Sequence, residues 1–325
     1  MKFPRRQFLQ LAAGAVALPV VPHRAAAQAY PARPVRIVVG YPAGDSPDVA
    51  ARIMGRWLSD RLGRAFVIEN KPGAGSNIAV QSVLDSPADG YTLTWITTAN
   101  TSNATFYQSL RFNFLTDVAP VAAICRMPLV MDVPPSLPVT TVAEFIAYAK
   151  ANPGKVNMAS AGVGGLLHLA GELFKTSTGL DLPHVPYRGS PPALTDLMSG
   201  RVQVMFDAMA SSLPHIRSGA LRALAVTTPT RSEALPGVPT VAETVPGYEA
   251  GVWLGIGAPR ATPAEVVTTL NRELNAGLAD ASVKAQLADL GMTPIPATPA
   301  EFGTVLASET DKWGKVIRAI GIKAE

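Results

Sequence analysis

Serine and histidine are the residues of this chain whose types could support covalent chemistry. The run from Met158 to Gly162 (MASAG) approaches the G-x-S-x-G nucleophile motif, but Met158 stands where the strained turn needs its first glycine. Beyond the first 29 residues the histidines are His168, His184 and His215, and no motif presents one of them to Ser160 as a general base. The sequence therefore favours a protein that is not an enzyme, with a hydrolase that uses Ser160 as the alternative.

Patterns that bind metals or nucleotide cofactors are also missing from the sequence. The three histidines are not spaced with one another or with a carboxylate as in a zinc site. Cys125 is the single cysteine, which excludes an internal disulfide and a thiolate metal cluster. Leu167 stands where a dinucleotide-binding G-x-G-x-x-G needs its third glycine, and no G-x-x-x-x-G-K-[ST] sequence occurs. We expect neither a metal nor a cofactor.

Glycine and small polar residues recur directly after apolar, strand-like runs. They form the segments Tyr41–Asp48, Gly73–Asn77, Thr97–Ser102 and Ser160–Gly164. In an open α/β sheet, ligands bind beyond the carboxyl ends of the strands, where backbone N–H groups at helix N-termini attract carboxylates and phosphates. Two such loops facing each other across a cleft would hold a small ligand from both sides. A tight turn that needs glycine is the alternative explanation for any one of them.

The elements that would position these loops alternate between strand and helix. Val35–Val39 reads as a buried strand, and the apolar residues from Val49 to Leu62 recur at helical spacing. A second series begins after the extended stretch Leu129–Pro138. The alternation predicts parallel sheets with helices on both faces. Capping boxes of the form Thr-x-x-Glu are predicted at four helix starts, namely Thr141, Thr240, Thr262 and Thr298.

Composition and charge separate the beginning of the chain from the rest. The chain has 325 residues, 48% apolar and 16% charged, which excludes disorder and allows two domains or one large α/β domain. The net charge of +4 resides in Lys2, Arg5, Arg6 and Arg24, because the remaining residues balance 24 basic against 24 acidic side chains. We therefore expect no nucleic-acid partner.

The first 29 residues have the pattern of an export signal. Basic residues precede an apolar run from Leu11 to Val21, and the small residues Ala25–Ala27 follow, with cleavage expected after Ala27 or Ala29. The apolar run is about half of the ~20 residues that span a bilayer. Arg5–Leu9 (RRQFL) resembles a twin-arginine signal, so both this route and the general secretory route are open. We expect residues 1–29 to be a signal peptide and the mature protein to be periplasmic.

Longer stretches of the sequence resemble the tripartite tricarboxylate transporter solute-receptor family, often called Bug proteins. The matching stretches run in order over the whole mature chain: Pro31–Val39 followed by Gly44, Ser46 and Asp48, then Glu69–Gly75, Asp89–Leu93, His168–Phe174, His184–Ser190, Leu235–Thr240 and Trp313–Ile317.

The resemblance implies an α/β fold of the periplasmic binding-protein type (type II-like). Two lobes, each a doubly wound and mostly parallel sheet with helices on both faces, would enclose a ligand cleft. The chain would cross between them near Val130 and near Gly251, so that residues 30–129 and 251–325 form the first lobe and residues 130–250 the second. Such receptors capture small carboxylates and deliver them to the integral-membrane subunits of a permease. A sensor protein is the alternative partner, and we expect a monomer.

By position, the resemblance also implies the ligand-binding residues. They are Tyr41, Ala43, Gly44, Asp45, Ser46 and Asp48 in the first loop, Ser160, Ala161, Gly162, Val163 and Gly164 in the second loop, and Tyr187, Arg188 and Asp207 on the far wall. Backbone N–H groups around Gly44 and Ser46, and from Ala161 to Gly164, are expected to hold one carboxylate.

This chain departs from the family's usual pattern in both loops. Asp45 stands at a usual glycine, and it either caps the following helix or faces the cleft. Pro47 replaces a usual threonine, and polar side chains of the second loop are replaced by Val163, Gly165, Leu166 and Leu167. If these apolar side chains line the cleft, an aromatic, branched or amino monocarboxylate is expected to bind better than citrate.

Overall fold

The structure is a computed structural model that describes residues 30–323, so the predicted signal peptide lies outside the described residues. Within that range there are ten strands: β1 Val35–Val39, β2 Phe66–Asn70, β3 Thr92–Thr97, β4 Val118–Val133, β5 Met158–Ser160, β6 His184–Pro186, β7 Val204–Ala208, β8 Arg222–Val226, β9 Gly251–Pro259 and β10 Thr293–Pro294.

The same range contains eleven α-helices, which connect and cover the strands. They are α1 Ser46–Leu62, α2 Asn77–Leu84, α3 Thr98–Phe106, α4 Phe114–Asp117, α5 Val142–Ala151, α6 Leu166–Thr178, α7 Ser190–Met198, α8 Met209–Arg217, α9 Ala264–Ala279, α10 Ala281–Asp289 and α11 Pro299–Ile320. None of these helices combines the length and the apolar composition needed to cross a bilayer.

The strands form two groups with the same internal order. In the first, β2-β1-β3-β9-β4, strand β1 pairs in parallel with β2 and β3, and β9 runs antiparallel between β3 and β4. In the second, β6-β5-β7-β4-β8, strand β5 pairs in parallel with β6 and β7, and β4 runs antiparallel between β7 and β8. The α/β prediction is confirmed. The sheet is mixed rather than mostly parallel. Each group contains an antiparallel strand, β9 in the first and β4 in the second, at a point where the chain crosses between the groups.

Strand β4 joins the two groups, which are called the first and second lobe below. Residues 118–128 of β4 pair with β9 in the first lobe, and residues 129–133 pair with β7 and β8 in the second. The predicted crossing near Val130 falls in this second half, and the one near Gly251 falls at the start of β9. The lobe boundaries drawn from these crossings stay predictions.

Helix α11 contributes to the cores of both lobes. Near its start, Phe302 and Leu306 are buried with first-lobe residues such as Trp253. Further along, Trp313 and Ile317 are buried in the core that also contains β7 and α6 of the second lobe. The helix therefore connects the two cores, because its side chains pack into both of them.

Two of the local sequence predictions are wrong. Thr97–Ser102 is not a loop, because the Thr97 hydroxyl accepts the Ala99 N–H and the Asn100 side chain accepts the Thr97 N–H, so α3 begins immediately after β3. Thr262 is not an N-cap, because α9 begins at Ala264 and the Thr262 hydroxyl is buried without a hydrogen-bond partner. The capping boxes at Thr240 and Thr298 are confirmed.

Candidate functional site

Asp48 organises the first loop from inside the protein. Its buried carboxylate accepts hydrogen bonds from the Gly44 N–H at 2.8 Å, from the Arg52 guanidinium at 2.9 Å and from the Asn70 amide at 2.8 Å. Burial raises the pKa of Asp48, but these hydrogen bonds outweigh it and hold the pKa below its usual value. Asp48 thus shapes the loop, and the Gly44 N–H that was expected to meet the ligand is already used.

Asp45 and Tyr41 occupy different environments in the same loop. Asp45 lies at the N-cap position of α1, but its side chain accepts no capping hydrogen bond and the residue is exposed. Of the two alternatives for Asp45, helix capping is therefore wrong, and its exposed carboxylate lies near the exposed residue Ala43. The Tyr41 hydroxyl lies 3.0 Å from the Thr97 hydroxyl, which ties the start of the loop to the end of β3.

The second loop is held by two histidines. Ser160 Oγ lies 2.7 Å from His184 Nε2, and it also contacts the backbone N–H and carbonyl of Gly162. The Gly164 N–H donates to His168 Nδ1 at 3.1 Å. The amides of Gly162 and Gly164, both expected to hold a ligand carboxylate, thus donate to side chains of their own lobe.

The contact between Ser160 and His184 was missed by the sequence analysis, which found no histidine presented to this serine. The two residues lie 24 positions apart, and the parallel pairing of β5 with β6 brings them together. The contact could not be read from the sequence, because it depends on which residues of β5 and β6 are paired. Ser160 is fully buried, and its hydroxyl also contacts the N–H and the carbonyl oxygen of Gly162, so the pair holds the loop in place.

On the far wall, two of the three expected residues are held by side chains of their own lobe. The Tyr187 hydroxyl donates to Asp196 at 2.8 Å, and Asp207 is buried and accepts from the Ser190 hydroxyl at 2.5 Å. Arg188 is exposed.

A second buried acid, Asp132, lies next to Asp207 and was not among the expected residues. The Ser212 hydroxyl contacts both carboxylates. Burial raises the pKa of Asp207, and burial together with the nearby Asp207 charge raises that of Asp132 well above its usual value. Of the two acids, Asp132 therefore favours its protonated form more strongly than Asp207 does. In the sequence, Asp132 could have been found as the one acidic residue of the largely apolar strand β4.

The backbone donors that remain free lie on both loops. Among the described residues, no hydrogen bond uses the N–H groups of Ser46, Ala161 or Val163. The Val163 side chain is 53% exposed, whereas Leu166 and Leu167 pack against the second-lobe core. The two leucines are thus partly used by the core, Val163 is the most exposed of the three apolar side chains, and the apolar wall stays a prediction.

Comparisons with known proteins agree on one family. Residues 50–322 match the model of the tripartite tricarboxylate transporter family receptor. Protein BugT of Bordetella pertussis is 37% identical over 316 residues, covering 96% of this chain and 95% of BugT. The UPF0065 protein in the tcbD-tcbE intergenic region of Pseudomonas sp. is 37% identical over 291 residues, covering 89% and 87%.

Solved structures extend the same likeness to the fold. The structure of R. palustris Rpa4515 with adipate has a TM-score of 0.77 and 40% identity, covering 90% of this chain and 99% of the other. MatC (Rpa3494) from Rhodopseudomonas palustris with bound malate has a TM-score of 0.73 and 29% identity, covering 89% and 100%.

Proposed function

Because the chain belongs to the tripartite tricarboxylate transporter receptor family, we propose that it is a periplasmic solute-binding receptor for a small organic acid. The ligand is captured in the cleft between the lobes and handed to the integral-membrane subunits of a permease. The related proteins solved with adipate and with malate support a carboxylate ligand.

The observation that carries this proposal is the set of unused N–H groups on the two loops. The Ser46 N–H lies at the start of α1, where the helix dipole favours an anion. The N–H groups of Ala161 and Val163 follow β5 in the second lobe. A carboxylate between them takes charge-assisted hydrogen bonds that contribute on the order of 1.5–3 kcal/mol each. Binding by backbone groups of both lobes also favours closure of the cleft.

The protein binds its ligand without covalent change. Ser160, the residue of the hydrolase alternative, is buried beneath the loop that would hold the ligand. Intact ligand recovered after prolonged incubation supports a receptor, whereas steady turnover would favour the enzyme. A sensor protein in place of the permease is the second candidate partner.

Removal of one backbone donor tests the site directly. Ser46→Pro deletes the N–H at the first helical position, where proline fits a helix, and the extended Asp45 (φ −67°, ψ 154°) suits the residue before a proline. Ser46→Ala, the matched control, deletes only the hydroxyl. Calorimetry with adipate should show affinity about tenfold lower or more for Ser46→Pro and nearly unchanged for Ser46→Ala. Wild-type affinity in a folded Ser46→Pro protein would contradict the site.

A further inference from the structure

Two stacked imidazole rings support the second loop at both of its ends. His184 contacts Ser160, where the loop begins, and His168 contacts Gly164, where it ends. The ring centroids of the two histidines are 3.8 Å apart and the planes differ by 13°. The loop therefore depends on one compact unit of two titratable side chains.

The hydrogen bond between Gly164 and His168 defines the protonation state of His168. A backbone N–H can only donate, so the Nδ1 atom that accepts it at 3.1 Å must carry no proton. The ring is then neutral, with its proton on Nε2, which lies 3.4 Å from the carboxylate of Glu172. A proton added to Nδ1 would place two N–H groups against each other, and the bond to the loop would be lost.

The charged and titratable groups that face the two rings come from α6 and β6. They are Glu172 and Lys175 on α6, which form an ion pair at 2.9 Å, and His184 on β6. Burial and the neighbouring His168 lower the pKa of His184 to about 4. Burial raises the pKa of Glu172, but hydrogen bonds from His168 and Lys175 outweigh it and hold that pKa below its usual value. Glu172 thus stays ionised beside the His168 ring, and the stacking of the two rings disfavours two positive charges at once.

We propose that His168 is a positioning residue of the ligand site: its neutral ring holds the second loop in the binding conformation, and uptake of one proton releases Gly164 and weakens ligand binding. The link to the ligand rests on the proposed function, since the free amides of Ala161 and Val163 belong to the same loop. The link between His168 and the loop is a property of the ligand-free protein.

The first test follows the Gly164 amide by NMR in the ligand-free protein between pH 8 and pH 4.5. In the wild-type protein its chemical shift should change on acidification, because the hydrogen bond to His168 Nδ1 is lost. In His168→Asn, whose Oδ1 can accept the same N–H without titrating, the change should be absent. A Gly164 amide whose chemical shift stays constant over this pH range in the wild-type protein would overturn the proposal, and this observation needs no variant to fold.

The second test measures adipate affinity by calorimetry over the same pH range. Acidification should lower the wild-type affinity about fivefold more than that of His168→Asn, as expected for the loss of one loop hydrogen bond. Protonation of adipate itself weakens binding equally in both proteins. His215→Asn, which removes a histidine outside the loop, should titrate as the wild-type protein does. An equal fall in wild type and His168→Asn would overturn the link to the ligand. If adipate binds at no pH, adipate is not the organic acid of the proposed function, and the NMR result still decides the role of His168 in the loop.

Discussion

At the scale of single residues, the second loop depends on a glycine that touches the opposite lobe. Gly164 has a φ of +77°, and the ring of Phe106, at the end of α3 in the first lobe, lies against it. A Cβ atom on Gly164 would lie 2.3 Å from Phe106 Cζ. The loop is thus fixed both by His168 from its own lobe and by an aromatic ring from the other.

Gly164→Ala should therefore destabilise the protein more than backbone strain alone explains. Gly154→Ala is the matched control, because Gly154 has a similar φ of +72° and no atom within 4 Å of the added Cβ. The excess loss for Gly164→Ala should be about 1–3 kcal/mol in the free energy of unfolding, as for other overpacked sites. Urea denaturation measures both variants, and equal losses would mean that Phe106 moves away at no cost.

Asp132 gives the stability a dependence on pH with a defined sign. Its pKa is raised in the folded protein, so folding favours the protonated form, and the associated stability is lost as pH rises above the pKa of the unfolded chain. Asp132→Asn keeps the shape of the protonated acid without titrating. As the pH rises from 5 to 8, the unfolding free energy of the wild-type protein should thus fall relative to that of Asp132→Asn.

Denaturation curves at the two pH values measure this difference, and Asp181→Asn, at an exposed position, provides the control. A parallel pH dependence in wild type and Asp132→Asn would show that Asp132 is ionised in the folded protein.

At the scale of elements, helix starts show how far a local pattern reaches. The pattern Thr-x-x-Glu forms a capping box at Thr298, where the hydroxyl accepts the Glu301 N–H and the Glu301 carboxylate accepts the Thr298 N–H. The same pattern at Thr262 forms none, because α9 begins with Pro263 at the N-cap position. The four residues of the Thr-x-x-Glu pattern make the two capping hydrogen bonds possible. The path of the chain before the helix decides whether these bonds form.

Two threonine substitutions should separate these cases. Thr298→Ala removes a working cap and should lower the unfolding free energy by about 1 kcal/mol. Thr262→Val replaces a buried hydroxyl without a partner by a methyl group of similar shape, and it should leave the stability unchanged or raised. Chemical denaturation tests both, and a loss of 1 kcal/mol or more in Thr262→Val would reveal an unrecognised partner for that hydroxyl.

At the scale of the whole molecule, the lobes are joined by the crossing strand β4, by the start of β9 and by α11. Both crossings contain or adjoin proline or glycine, as at Pro128 and Gly251, so only a few residues there can absorb a change in backbone angles. Helix α11 is buried in the cores of both lobes. If one lobe moves relative to the other, its contacts with this helix must therefore change.

We expect a bound ligand to close the lobes about hinges near Val130 and Gly251. Small-angle scattering should show a smaller radius of gyration at saturating adipate. At an adipate concentration that saturates only the wild-type protein, Ser46→Pro should keep the larger radius, because its first loop lacks a donor for the carboxylate. An unchanged radius in ligand-saturated wild-type protein would contradict hinge closure.

The sequence by itself determined the features that depend on local pattern and on likeness to a family. Alternating strands and helices, the positions of the loops after β1 and β5, and the family membership could all be read from residue types and their order. Export by residues 1–29 stays a prediction from the same kind of pattern. These features depend on neighbours within a few residues, or on a motif order kept along the whole chain.

The tertiary structure decided which backbone donors of the two loops are already used by other groups of the protein. The contacts of Ser160 with His184, of Gly164 with Phe106 and of Asp132 with Asp207 join residues 24 to 75 positions apart, and they depend on strand register and on the packing of the two lobes. A sequence shows that such groups exist but not that they consume one another's hydrogen bonds. For this reason the amides of Gly44, Gly162 and Gly164 looked available in the sequence and are occupied in the fold.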